Sequence, residues 1–311
     1  MTLLHGGRIA GLIGGLLLSI GVSAFAQQQA GFWEPVGQIL GAGSLDGDIF
    51  KVWMPRNDFK VTIKAQQIPP QFSLESWAAF KPLGKTSLMR AELVLMQDEV
   101  APAIDSFLNS GIQVTGIHQR LLYESPHVVS LRVVGRGDPV ALANTIKSAL
   151  KNSKVTDKPS TDAIDAADAI RELGPRKEAI EQVLGMEGEI TGSVLRFAVP
   201  RSERIVEGGI EIPAAMGAAS VFSFFATDEE RIATTGELVL MAGEVNYVIG
   251  VLRSSGVEIA ALNNCFVAEK PRLVCVRFWA NGDGETLARG LRLVFDGIRA
   301  IGKTSSQSKQ K

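Results

Sequence analysis

Histidine and cysteine are scarce in this sequence, with three His and two Cys in 311 residues. Such counts exclude a multi-zinc protein and a disulfide-dense scaffold, which both need repeated ligand or cystine spacings. Charge of one sign is also missing: 32 Lys and Arg stand against 33 Asp and Glu, and no strong basic run occurs before the last few residues. That balance excludes the basic footprint of a nucleic-acid-binding protein. No Gly-x-Ser-x-Gly elbow, phosphate-binding Gly-rich loop with Lys, or His-Glu-x-x-His is present, so the common hydrolase, nucleotide and zincin signatures are absent. Apolar residues at 46% with 21% charged describe an ordinary folded chain, neither disordered nor of low complexity.

Long hydrophobic runs are confined to the N-terminus. Arg8 precedes an apolar run, Ile9 to Val22, followed by Ser23-Ala24-Phe25-Ala26. Small residues at Ala24 and Ala26 form the A-x-A pattern of a secretory signal peptide. The run falls short of the ~20 residues that span a bilayer. Cleavage after Ala26 is expected, leaving a periplasmic or secreted protein with no membrane span. No Cys lies near that point, so a lipid anchor is not expected.

What the sequence does contain is a repeat. Shifted by 145 residues, Glu92–Asp138 aligns without a gap on Glu237–Asp283, with 16 of 47 positions identical. The identities include Glu-Leu-Val-Leu-Met (92–96 and 237–241), Glu99-Val100 with Glu244-Val245, Ser110-Gly111 with Ser255-Gly256, Pro126 with Pro271, and Arg132 with Arg277. The same offset places Pro55-Arg56 on Pro200-Arg201 and Phe80 on Phe225. The chain is two copies of one domain.

Each copy reads β-α-β-β-α. Leu93–Met96 is a strand, followed by a helix with Asp98 as N-cap, an apolar face of Val100, Ile104, Phe107 and Leu108, and Gly111 as its terminating glycine. Ile112–Leu122 and Val128–Val134 form a hairpin around Pro126, and Asp138-Pro139 opens a helix burying Leu142, Ile146 and Leu150. Phe72–Phe80 and Ile49–Ile63 read as further strands. The expected organisation is a signal peptide (1–26), a first α+β repeat (27–150), a linker with short helices (151–184), a second α+β repeat (185–302) and a flexible tail (303–311). The expected fold class is α+β, two tandem ferredoxin-like repeats related by duplication, whose sheets either pack face to face or meet water separately.

Alternation assigns the hairpin faces. A turn centred on Ser125 would pair His118 with Arg132 and Arg120 with Ser130. One face then carries His118, Arg120, Leu122, Val128, Ser130 and Arg132; its counterpart carries Asn263, Cys265, Val267, Leu273, Cys275 and Arg277. His118, Arg120 and Arg132 could bind a carboxylate or phosphate, or be ordinary sheet-surface charge. Cys265 and Cys275 would face each other across a turn at Lys270, within reach of a disulfide or as two free thiols. One His beside arginines does not make a metal site. Glu92 and Glu237 open equivalent strands; paired carboxylates could do acid–base work if they converged, but as strand-end glutamates they are expected to be solvated. Arg136-Gly137-Asp138 is accounted for by helix capping, and Asp46-Gly47-Asp48 by a turn.

The stretch Ala261-Leu262-Asn263-Asn264-Cys265, then Phe278-Trp279-Ala280-Asn281 and Leu287-Ala288-Arg289-Gly290-Leu291, resembles the LppY/LpqO family. These are exported bacterial proteins built from a duplicated domain of unknown function, and the resemblance runs from about Gly41 to Ile298. Its members typically carry Ala-Leu-His-Asn-His on the first hairpin strand and a His before Phe-Trp on the second, which implies a metal site. Here those positions hold Asn263, Cys265 and Arg277 in one copy and His118, Arg120 and Arg132 in the other, so the implied site is dismantled or converted to hold an anion. The resulting expectation is an exported, non-enzymatic protein that binds a small anionic ligand or a protein partner through His118, Arg120, Arg132, Asn263, Cys265 and Arg277. No catalytic residue, metal or cofactor is assigned. A metal-binding protein or metal-dependent enzyme retaining an uncharacterised family activity is the alternative.

Overall fold

The computed structural model describes residues 31–151 and 166–308; the expected signal peptide and residues 152–165 of the expected linker lie outside the described residues. The first copy contains α1 (31–40), β1 (Gly43–Asp46), β2 (Ile49–Pro55), β3 (Val61–Ile63), β4 (Gln66–Ile68), β5 (Glu75–Leu83), β6 (Thr86–Met96), α2 (Gln97–Asn109), β7 (Gln113–Gln119), β8 (Glu124–Ser125), β9 (Val128–Gly137) and α3 (Pro139–Ala149). Six of its strands form an antiparallel sheet in the order β1-β2-β5-β6-β9-β7, and β4-β3-β8 form a small second one.

The second copy repeats this plan with α4 (Ala166–Leu184), β10 (Glu189–Thr191), β11 (Val194–Pro200), β12 (Val206–Glu207), β13 (Ile210–Glu211), β14 (Ala219–Ala226), β15 (Ile232–Met241), α5 (Val245–Ser254), β16 (Glu258–Asn264), β17 (Glu269–Lys270), β18 (Leu273–Gly282) and α6 (Gly284–Ser308). Its large sheet has the order β10-β11-β14-β15-β18-β16 and its small one β13-β12-β17. The fold is thus mixed α+β, with two similar six-stranded sheets. Among the described residues no helix is long and apolar enough to cross a membrane.

Local chemistry explains where the elements end. Gly47 (φ 61°) and Gly192 (φ 59°), 145 residues apart, close the β1–β2 and β10–β11 hairpins in a conformation that only glycine adopts without strain. The Asp138 carboxylate accepts from the Ala141 N–H at 2.8 Å ahead of Pro139, as expected of an N-cap followed by an N1 proline. For α2 the N-cap is Met96 rather than Asp98: Glu99 reaches back to accept from the Met96 N–H at 2.7 Å. Of that helix's expected apolar face Phe107 is fully buried, whereas Leu108 is exposed. The one described helix between the copies, α4, runs unbroken to Leu184, and α6 continues through Ser308 into the expected flexible tail.

One repeat match does not survive. Trp77 on β5 lies opposite Glu92, and on β14 it is Val221 that lies opposite Glu237. The offset there is 144, so Phe80 corresponds to Phe224 and not to Phe225. The copies differ by one residue on either side of β14, and such a slip exchanges the two faces of a strand. Phe80 and Phe224 both pack under helices, whereas Phe225 faces the other sheet.

The helices of each copy cover one face of its sheet. Trp33, Phe80, Phe107 and Ile146 centre the first core, and Ile180, Phe222, Phe278 and Leu291 the second. The opposite faces pack on each other. Phe72 lies 5.8 Å from Phe225 and 5.9 Å from Trp279, while Ile49, Ala79 and Leu88 pack with Met216, Phe266 and Cys275. Two apolar clusters shared by both copies therefore flank a polar centre.

Candidate functional site

That centre is built from the repeated charges. Glu92 faces Arg132 across the β6–β9 ladder, and Glu237 faces Arg277 across β15–β18, opposite-charge pairs of the kind that stabilise a sheet. Each arginine also crosses to the other sheet: Arg132 donates to Glu237, and Arg277 donates to Glu92 at 2.7 Å. Within its own sheet Arg132 Nε lies 3.0 Å from Glu92, and Arg277 Nε lies 2.8 Å from Glu237. Arg120 adds a third donor to Glu92, at 2.6 Å, and bonds Ser130 at 2.7 Å. All three arginines and Glu92 are under a tenth exposed.

Burial pushes the carboxyl of Glu92 upward, but Arg132, Arg277 and Arg120 overcome it and hold that group well below the usual carboxylate range. Glu237 is held down likewise by Arg132 and Arg277. The expectation that these glutamates are solvated is therefore wrong: they neutralise the arginines of the facing sheet.

Beside this network lies a half-open cleft of about 120 Å³ between the sheets. Its walls include equivalent residues of both copies: Lys51 and Arg196, Trp77 and Val221, Glu75 and Ala219, Glu92 and Glu237. The cleft thus lies between equivalent positions of the two copies. Lys51 Nζ donates to the Ala215 carbonyl at 3.0 Å and lies 4.3 Å and 4.6 Å from the ring centroids of Trp53 and Trp77. It has no carboxylate partner among the described residues. Burial first, then Arg196, lowers its pKa to about 8. Arg196 bonds Glu75 and the Gln71 carbonyl and lies over Trp53.

The sequence-predicted residues separate into three groups. Arg120 and Arg277 line the cleft, Arg132 lies behind them in the ion network, and His118, Asn263 and Cys265 do not line it. The hairpin register differs from expectation by two residues, since His118 pairs with Ser130 and Gly116 with Arg132; a shift of two preserves the face. Cys265 lies beyond the end of β16, where Asn263 rather than Cys265 is opposite Cys275, and the two cysteines are joined in a disulfide with Cα atoms 5.1 Å apart.

His118 and Asn263, equivalent under the offset, each bury a polar atom (Nε2 and Oδ1) with no hydrogen-bond partner. Burial first, then Arg277, lowers the His118 pKa to about 3. The folded protein keeps this imidazole neutral, whereas the unfolded chain protonates it near 6.5. Stability is therefore lost as pH falls below about 6.5, by up to ~1.4 kcal/mol per pH unit. His118→Asn, which copies position 263, should flatten this acid limb. Urea midpoints at pH 4 and pH 7 check it, and equal losses for both proteins would refute it.

The histidine-rich metal site implied by the family resemblance does not fit these residues. His118 is the only imidazole at the six positions, three others are arginines, and Cys265 is bridged to Cys275. Among the described residues no group of three or more His, Cys, Asp or Glu is placed to hold a metal ion.

The residues missed from sequence are Lys51, Trp53, Glu75, Trp77 and Arg196. One signal was available: Lys51 and Arg196 are 145 apart, just ahead of the repeated Pro-Arg pairs, Lys51 between buried Phe50 and Val52 on β2 and Arg196 between buried Leu195 and Phe197 on β11.

A family model described as Domain of Unknown Function (DUF1259) matches residues 34–152 and again 178–297. No curated protein matches the chain. Two solved structures are distantly similar. EtuB from Clostridium kluyveri has 10% identity over 85% of this chain and 93% of its own, with a TM-score of 0.21. A trimeric bacterial microcompartment shell protein, PduB, has 12% identity over 85% and 92%, also with a TM-score of 0.21. At that score neither carries an argument about this chain.

Proposed function

Since the chain belongs, in duplicate, to the family of domains of unknown function DUF1259, we propose that it is an exported, non-enzymatic protein whose inter-sheet cleft binds a small anion. The observation that carries this reading is a count of charges. Five cations, Lys51, Arg120, Arg132, Arg196 and Arg277, meet around one cleft and its adjoining ion network, against three carboxylates, Glu75, Glu92 and Glu237. Charge withdrawn from water without a partner is costly, and an anion in the cleft offsets that cost. The leader at 1–26 supports export. Within the family we keep the LppY/LpqO resemblance as the finer assignment. We also infer a rearranged ferredoxin-like sandwich, in which β5 takes the place next to β6 that a strand after α3 would otherwise fill.

Thermal unfolding with added anions at constant ionic strength tests the reading. An anion at 100 times its Kd should raise stability by about 2.7 kcal/mol, and Lys51→Met should remove most of that gain. Because Lys51 loses its proton near pH 8, binding should weaken as pH rises through that value; Arg196, Glu75, Glu92 and exposed Asp46 are the other charged groups acting on it. No stabilisation by phosphate or any carboxylate would refute it.

A further inference from the structure

The excess charge around the cleft is divided between two places. Arg196 is matched by Glu75, so one uncompensated charge belongs to Lys51, held between two tryptophan rings and a carbonyl. The other is shared by Arg120, Arg132 and Arg277, which have two carboxylates, Glu92 and Glu237, among the three of them. The one further acid acting on Lys51, Asp46, is exposed on β1 and is screened by water. Lys51, Arg120 and Arg277 all line the same cleft.

Space for a ligand comes from divergence between the copies. The second copy places Ala219 and Val221 where the first has Glu75 and Trp77, and Thr235 and Gly236 where the first has Arg90 and Ala91. The small side chains open room opposite the tryptophans. At about 120 Å³ the cleft is small beside the roughly 300–1,000 Å³ of drug-sized pockets, which favours a compact occupant.

Resting on the proposed anion-binding function, we propose that the ligand is a short dicarboxylate. One carboxylate faces Lys51, the other faces the Arg120–Arg277 side, and the methylenes between them lie against Trp53 and Trp77. A dicarboxylate supplies two separated negative charges where the protein has two separated excess positive ones, and charge-assisted hydrogen bonds to arginine and lysine hold each end. A monocarboxylate meets one of the two, and inorganic phosphate places all its charge at one end.

Isothermal titration calorimetry of the full chain, at low salt and pH 6.5, tests this with succinate, propionate, succinamate and inorganic phosphate. Succinate should bind at least tenfold more tightly than the other three. Lys51→Met should remove that preference, and Lys51→Arg, which copies position 196, should retain a measurable part of it; the second variant guards against a folding defect in the first. Equal affinities for all four would overturn the dicarboxylate assignment while leaving anion binding intact. Phosphate binding more tightly than succinate would replace it with a single-centre site. Binding by none of the four would overturn both readings.

Discussion

Glu92→Gln is expected to destabilise the protein by roughly 3–5 kcal/mol, the usual cost of removing one partner from a buried ion pair. The glutamine keeps the shape of the side chain but not its charge. Arg120, Arg132 and Arg277 would then share Glu237 alone, three buried guanidinium groups around one carboxylate. Glu258→Gln is the control, because its ion pair with Lys64 is half-exposed and such pairs contribute about 0–1 kcal/mol. Urea unfolding of both variants separates the cases. If Glu92→Gln costs no more than the control, the network is not what holds the two sheets together.

The second large effect concerns the halves. Residues 31–151 expressed alone are expected not to form a folded monomer, even though their own helix-covered core is complete. The opposite face would expose Phe72, Leu74, Val94 and Val128 from one shared cluster, and Ile49, Ala79 and Leu88 from the other. Apolar patches of that extent are unusual on monomers. The same cut takes Glu237 from Arg132, Glu207 from Arg90 and Arg196 from Glu75. Light scattering combined with circular dichroism should find association or loss of structure. A folded monomer would show that the second copy is dispensable for the stability of the first.

Both results depend on contacts whose partners were each visible in the sequence but whose meeting was not. Glu92 and Arg132 repeat at Glu237 and Arg277 because all four serve one structure, yet Arg132 and Glu237 are 105 residues apart and Glu92 and Arg277 are 185 apart. No periodicity encodes such a distance. A second repeated signature has the same character: Arg56 bonds the Val94 carbonyl and Glu99, while Arg201 bonds the Val239 carbonyl and Glu244, tying the end of β2 or β11 to the start of the following helix. The identities Pro-Arg and Glu-Val were legible; the bond joining them was not.

By itself, the sequence determined the duplication, the α+β class, the alternating faces of β9 and β18 and the cap at Asp138. Each is an expression of local geometry, a side-chain period or a backbone preference repeated at a constant offset. Tertiary structure decided that the polar faces meet, that the arginines read as an anion site share two carboxylates drawn from both sheets, and that beside them Lys51 is a cation without a carboxylate partner among the described residues. It also decided the register, because a strand chooses between adjacent alignments by what its two faces bury, and here one face is buried against a second copy whose position no local pattern records.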